Sequence, residues 1–138
     1  MKTKTLSSVL LGFSLLILSK TVFALYPGTV VGIWNVKVNQ SSATLNITSQ
    51  STSGWCRQIF GNYTYFFDTY MAQGFYCPTT GRIQFLIRNS DFITLLVFSA
   101  NLASRGNPNY MAGSVASFND SFFSTVSLGE YSFFASKP

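Results

Sequence analysis

The sequence predicts an all-β protein: an up-and-down antiparallel β-barrel of about eight strands with one disulfide, preceded by a signal peptide. Three observations predict it. Short runs of alternating apolar and polar residues follow one another at intervals of roughly 8–15 residues. Clusters of Gly, Pro, Asn and Ser divide those runs. No helical period of 3.6 is found after residue 24. The even strand spacing favours a barrel over a Greek-key sandwich, and closure removes the edges through which apolar strands aggregate.

The elements follow in order. Tyr26-Pro27-Gly28 opens as a turn. Val30 to Asn39 alternates, with Trp34, Val36 and Val38 on one face and Ile33, Asn35, Lys37 and Asn39 on the other. A turn at Gln40-Ser41-Ser42 leads to a strand over Ala43 to Ser49, with Leu45 and Ile47 inward. After a polar loop at Gln50 to Gly54 comes a third run, Trp55 to Phe60, ending at Gly61-Asn62. Tyr63 to Tyr70 is predicted as an aromatic strand or ordered loop, and Gly74 to Cys77 continues the sheet.

Pro78-Thr79-Thr80-Gly81 has strong turn chemistry. Arg82 to Arg88 sets Ile83, Phe85 and Ile87 against Arg82, Gln84 and Arg88. Asn89-Ser90-Asp91 turns the chain into an apolar strand over Phe92 to Ala100, and residues 104–109 form a loop. Tyr110 to Phe118 and Ser124 to Phe134 are the last strands. Their small residues, Gly113 among them, relieve crowding where a sheet curls or admit a ligand closely.

Residues 1–24 read as a cleaved secretory signal. Lys2 and Lys4 form the charged head, Leu6 to Leu18 the apolar middle, and Val22-Phe23-Ala24 the cleavage site. The apolar run is shorter than the roughly 20 residues that span a bilayer. No stable membrane span is therefore expected after cleavage, and residues 25–138 form one domain, secreted, extracellular or periplasmic. Export makes a Cys56–Cys77 disulfide the default. It closes a loop of about 20 residues, worth on the order of 3 kcal/mol.

Composition excludes several functions. The chain has 138 residues, only 9% of them charged, and no histidine. Histidine-ligated metal sites and histidine-based catalysis are thus impossible. Without its signal the chain keeps six positive against four negative side chains, +2, spread without clustering. No patch of the size phosphate-backbone binding needs remains, so no nucleic acid is expected. Asp91 and Asp120 sit in turn sequences and Glu130 in a strand, and no catalytic motif or metal-ligand spacing is present. The expectation is no enzyme, no cofactor and no metal.

Several short stretches resemble the avidin/streptavidin barrel. They are Gly32-Ile33-Trp34-Asn35, ATLNIT from Ala43, Phe60-Gly61-Asn62-Tyr63 as a degraded Gly-x-Tyr, and GRIQFLIR from Gly81. Met111-Ala112-Gly113-Ser114 and SLGEYSFF from Ser127 complete the set. A Gly-x-Trp on the first strand is also shared with lipocalins, and the order is similar to that of uncharacterised secreted bacterial domains. The resemblance implies a barrel with a cavity. It does not imply biotin: avidins place an Asn two positions after the first-strand Trp, where Val36 stands here, and the avidin Gly-Ser pair is replaced by Gln40-Ser41. Avidins also wall the pocket with several tryptophans, whereas this chain has Trp34 and Trp55.

Trp34, Phe85, Phe98, Tyr110 and Phe118 read most simply as core. The five aromatics between Tyr63 and Tyr70 cannot all face one core, because side chains alternate along a strand. Some must stand on a rim, a pocket wall or an interface, unless the disulfide folds the segment over the barrel mouth as a lid. The candidate ligand-binding residues are Trp34, Asn35, Tyr63, Tyr65, Phe85, Tyr110 and Tyr131. The expected function is a binding barrel for a small apolar or amphipathic molecule. The alternative is a protein-interaction or structural module acting through exposed aromatics and loops, possible as a homo-oligomer.

Overall fold

The computed structural model describes residues 26–103, 109–118 and 127–138. The predicted signal and the start of the last strand at Ser124 lie outside them. Eight antiparallel strands form one closed barrel in chain order: β1 (Gly32–Val38), β2 (Ser41–Gln50), β3 (Arg57–Tyr65), β4 (Asp68–Cys77), β5 (Arg82–Arg88), β6 (Thr94–Leu102), β7 (Tyr110–Phe118) and β8 (Ser127–Ser136). The seam is a pairing of β1 with β8 that runs from Asn35↔Ser136 to Val38↔Phe133.

Alternation selects the core, as expected. Trp34, Leu45, Ile47, Ile83, Phe85, Ile87, Phe98 and Val115 are buried inside. Outward positions carry mainly polar side chains such as Asn35, Lys37, Asn62 and Gln84. An apolar interior with a polar wall is the reverse of a membrane-spanning barrel, whose apolar band faces out. Tight coiling demands small residues at particular inward positions. A Cβ on Gly113 would lie 2.0 Å from the Ser99 carbonyl oxygen, and one on Gly74 2.0 Å from that of Gln84. The neighbouring strand's backbone therefore occupies the space at Gly113, which settles its role as relief of crowding.

Four sequence expectations need correction. The first hairpin turns at Asn39-Gln40, and Ser41 already belongs to β2; Asn39 takes φ 52°, which an Asn tolerates. The third strand does not stop at Gly61-Asn62 but runs through them to Tyr65, because Gly61 lets the Asn46–Ile47 backbone approach. The aromatic run is no lid: a two-residue turn, Phe66-Phe67, splits it between β3 and β4, with Tyr65 paired to Asp68. Phe92 is not in β6; it takes φ 61° in the preceding turn.

The disulfide joins Cys56 to Cys77. Both lie where β3 begins and β4 ends, which is the barrel end opposite the Phe66-Phe67 turn. It crosslinks a hairpin at its base rather than covering a mouth.

Candidate functional site

Among the described residues, the interior divides into a filled half and an open half. Residues 26–31 seal one end. The Trp34 indole N–H donates to the Val30 carbonyl at 2.9 Å and the Tyr76 hydroxyl to that of Pro27 at 2.7 Å. Gln50 accepts from the Val30 N–H at 3.0 Å and donates to the Gly28 carbonyl at 2.9 Å, which also accepts from Arg57. Lys137 donates to the Val31 carbonyl at 2.9 Å and sits 5.0 Å above the Trp34 ring, where burial lowers its pKa. Above this plug, Phe85 stacks on Phe98 at 4.5 Å and Phe133 meets Phe98 edge-on at 4.8 Å. These rings are the floor of the open half.

Over that floor is a cavity of about 550 Å³, within the size range of small-molecule sites. Tyr63, Tyr65 and Tyr70 form one wall, and Ile87, Leu96 and Val115 the facing one, with Tyr131 beside them. The wall exists because the Phe66-Phe67 turn lets β3 and β4 present inward tyrosines on both sides of it: Tyr63 pairs with Tyr70 across the hairpin. Asn39, Ser41 and Ser117 add a few polar groups. Among the described residues, no carboxylate, lysine or arginine lines the cavity; Asp68, Asp91 and Glu130 are exposed outside it, at the same end of the barrel.

Tyr63 is the deepest of the tyrosines. It is 4% exposed, and its ring lies 5.7 Å from that of Phe98. Burial, with a smaller contribution from Tyr65, pushes its pKa to about 12, so near neutral pH it is an uncharged phenol that can donate. Tyr65 donates to Ser41 at 3.5 Å. The Tyr63 hydroxyl has no hydrogen-bond partner among the described residues. Among the described residues, the polar atoms sealed away without one are Arg57 Nε and Arg88 Nε, and Tyr63 is one of the residues that line the cavity.

The structure brings Tyr63, Tyr65 and Tyr131 together on the cavity wall. Trp34 and Phe85 are fully buried below it. Asn35 faces outward, and Tyr110 is half exposed near the sealed end, so Tyr110 is not core. Phe118 is partly buried and lines the cavity instead of the core.

Of the lining residues, sequence reasoning named Tyr63, Tyr65 and Tyr131 as candidates and missed the others, among them Tyr70, Ile87, Leu95, Leu96, Val115 and Phe118. One of these omissions has a local cause. Between the pairs Ile87↔Leu96 and Arg88↔Thr94 the extra residue Leu95 makes a bulge in β6 near the open rim. It aims the consecutive residues Leu95 and Leu96 at one cavity. Loss of strict alternation there was the available signal.

The chain matches no protein-family model, no curated protein and no solved structure.

Proposed function

We propose that the protein is a non-enzymatic binding barrel, avidin-like in architecture, that takes a small apolar or amphipathic molecule into the open half. One observation carries this reading: the same barrel is packed solid at one end and leaves a cavity of about 550 Å³, walled by aromatic and aliphatic side chains, at the other. A barrel that served only as a scaffold has no need of that asymmetry. The wall supports an uncharged or weakly polar ligand, since tyrosine hydroxyls, two serines and one asparagine are its polar groups. Biotin is not proposed. Val36, standing where avidins have a hydrogen-bonding Asn, is buried and offers only methyl groups, and Asn35 points out of the barrel. A buried urea without its partners costs about 1–3 kcal/mol for each one lost. The expected setting is extracellular or periplasmic, with which the disulfide is compatible.

The test is a fluorescence titration with N-phenyl-1-naphthylamine, a neutral probe that brightens in apolar surroundings. Saturable one-site binding is expected. Val115→Trp, which fills the cavity from its aliphatic wall, should remove it while the unfolding transition stays cooperative. Absence of saturable binding by the unmodified protein, or binding indifferent to Val115→Trp, would refute the proposal.

A further inference from the structure

The rim of the open half carries side chains that the cavity does not use. Phe66 and Phe67 form the tip of the β3–β4 turn and are 77% and 99% exposed. Phe92, in the β5–β6 turn, is 65% exposed. In an up-and-down barrel both turns lie at the same end, and because β4 and β5 are neighbours, the turns are about 10 Å apart. Phe66 and Phe92 hold φ values of 53° and 61°. That region is strained for a bulky side chain and natural to Gly or Asn. Each position thus holds an exposed phenylalanine where a small polar residue would be both more soluble and less strained. Strain kept at an exposed apolar tip points to a contact made there.

The chemistry of the rim selects the partner. We propose that the open rim docks on an uncharged or zwitterionic phospholipid surface, with Phe66, Phe67 and Phe92 entering the headgroup region so that the cavity mouth faces the bilayer. The three side chains offer about 400 Å² of apolar surface, half of the ~800 Å² per partner in a standard protein interface. They stand on two separate tips rather than on one flat patch, a shape that suits a fluid layer. The described charges within two positions of this end are Lys37 and Arg88 against Asp68 and Asp91, a balance of zero, with Glu130 one step further along β8. The described residues of the rim thus offer no net attraction to an anionic surface, and the contact they make is apolar. Such docking would place the cavity entrance where apolar molecules concentrate. The inference stands on the rim and does not require that the cavity hold a ligand.

The test is flotation of the purified protein with phosphatidylcholine vesicles, beside the variant F66N/F67S/F92N. Both proteins carry the same N-terminal residues, so those cannot produce a difference. Phe66 meets the wall residue Tyr65 edge-on at 4.5 Å, so F67S/F92N, which leaves that contact in place, is run beside the triple variant, and N-phenyl-1-naphthylamine titration serves as a separate check of fold and cavity. The unmodified protein is expected to float equally well at about 0.1 and 1 M salt, and the variant to lose about tenfold or more of its vesicle partitioning while keeping its response to the probe. Three results would overturn the inference: no flotation of the unmodified protein, equal flotation of the two proteins, or binding confined to anionic vesicles and abolished by salt. A dimer that the triple variant dissolves, without flotation, would also overturn it and assign the rim to a second copy.

Discussion

At the sealed end of the barrel, Val30, Trp34 and Tyr76 are fully buried, and the two ring donors reach backbone carbonyls of residues 26–31. At the open end, Tyr63, Tyr65 and Tyr131 surround a cavity, the Tyr63 hydroxyl has no partner among the described residues, and the turns expose phenylalanines in left-handed conformations. The same eight strands build both ends, so strand chemistry alone does not create the difference. The sealed end has a segment folded across it, a disulfide at the hairpin base and neighbouring strands in close contact. The open end has a bulge at Leu95 that turns two consecutive leucines to the cavity and a turn that puts tyrosines on both sides of a hairpin. Stability is concentrated at the first end, and the features that favour binding at the second.

That contrast can be broken first at the disulfide. Cys56→Ser together with Cys77→Ser should cost on the order of 3 kcal/mol of unfolding free energy, read by urea denaturation. A loss near zero would mean that the sealed end does not depend on the crosslink. A change of opposite sign is expected at the rim: Phe92→Asn should raise stability by roughly 0.5–1 kcal/mol by relieving a left-handed phenylalanine. Destabilisation by that substitution would show the ring to be structural.

The smallest effect near neutral pH belongs to Tyr63. Its pKa and that of Tyr76 are pushed up from 10.0 to about 12, mainly by burial. The folded state therefore holds these protons more tightly than the unfolded chain. Their contribution to stability is complete below pH 10 and is lost as pH rises from 10 toward 12. Tyr63→Phe should flatten that alkaline fall, measured by urea midpoints across the range. An unchanged slope would mean that Tyr63 is not desolvated as its burial implies.

Much of the wall was legible residue by residue. Ile83, Phe85 and Ile87 alternate with polar neighbours and are all buried, and Leu45 and Ile47 behave likewise. The pairing of Cys56 with Cys77 followed from their being the two cysteines of the chain. The Phe66-Phe67 turn was not legible, because turn prediction relies on Gly, Pro, Asn and Asp and this turn uses none of them. Tyr110 read as core from its type alone, yet it sits at a strand start near the barrel end, where one flank meets water. Leu95 escaped because a bulge in β6 reverses the facing that alternation assigns.

Alternation and turn chemistry, both local along the chain, determined about eight extended segments, most of their inward residues and the all-β class. Only the folded barrel decided which end is filled. That outcome depends on residues 26–31 meeting Gln50, Arg57 and Tyr76, groups far apart in sequence. It depends also on the bulge in β6 that turns Leu95 and Leu96 toward one cavity. A cavity is the space that packing leaves over, set by how all eight strands coil together, and no single segment of the sequence encodes it.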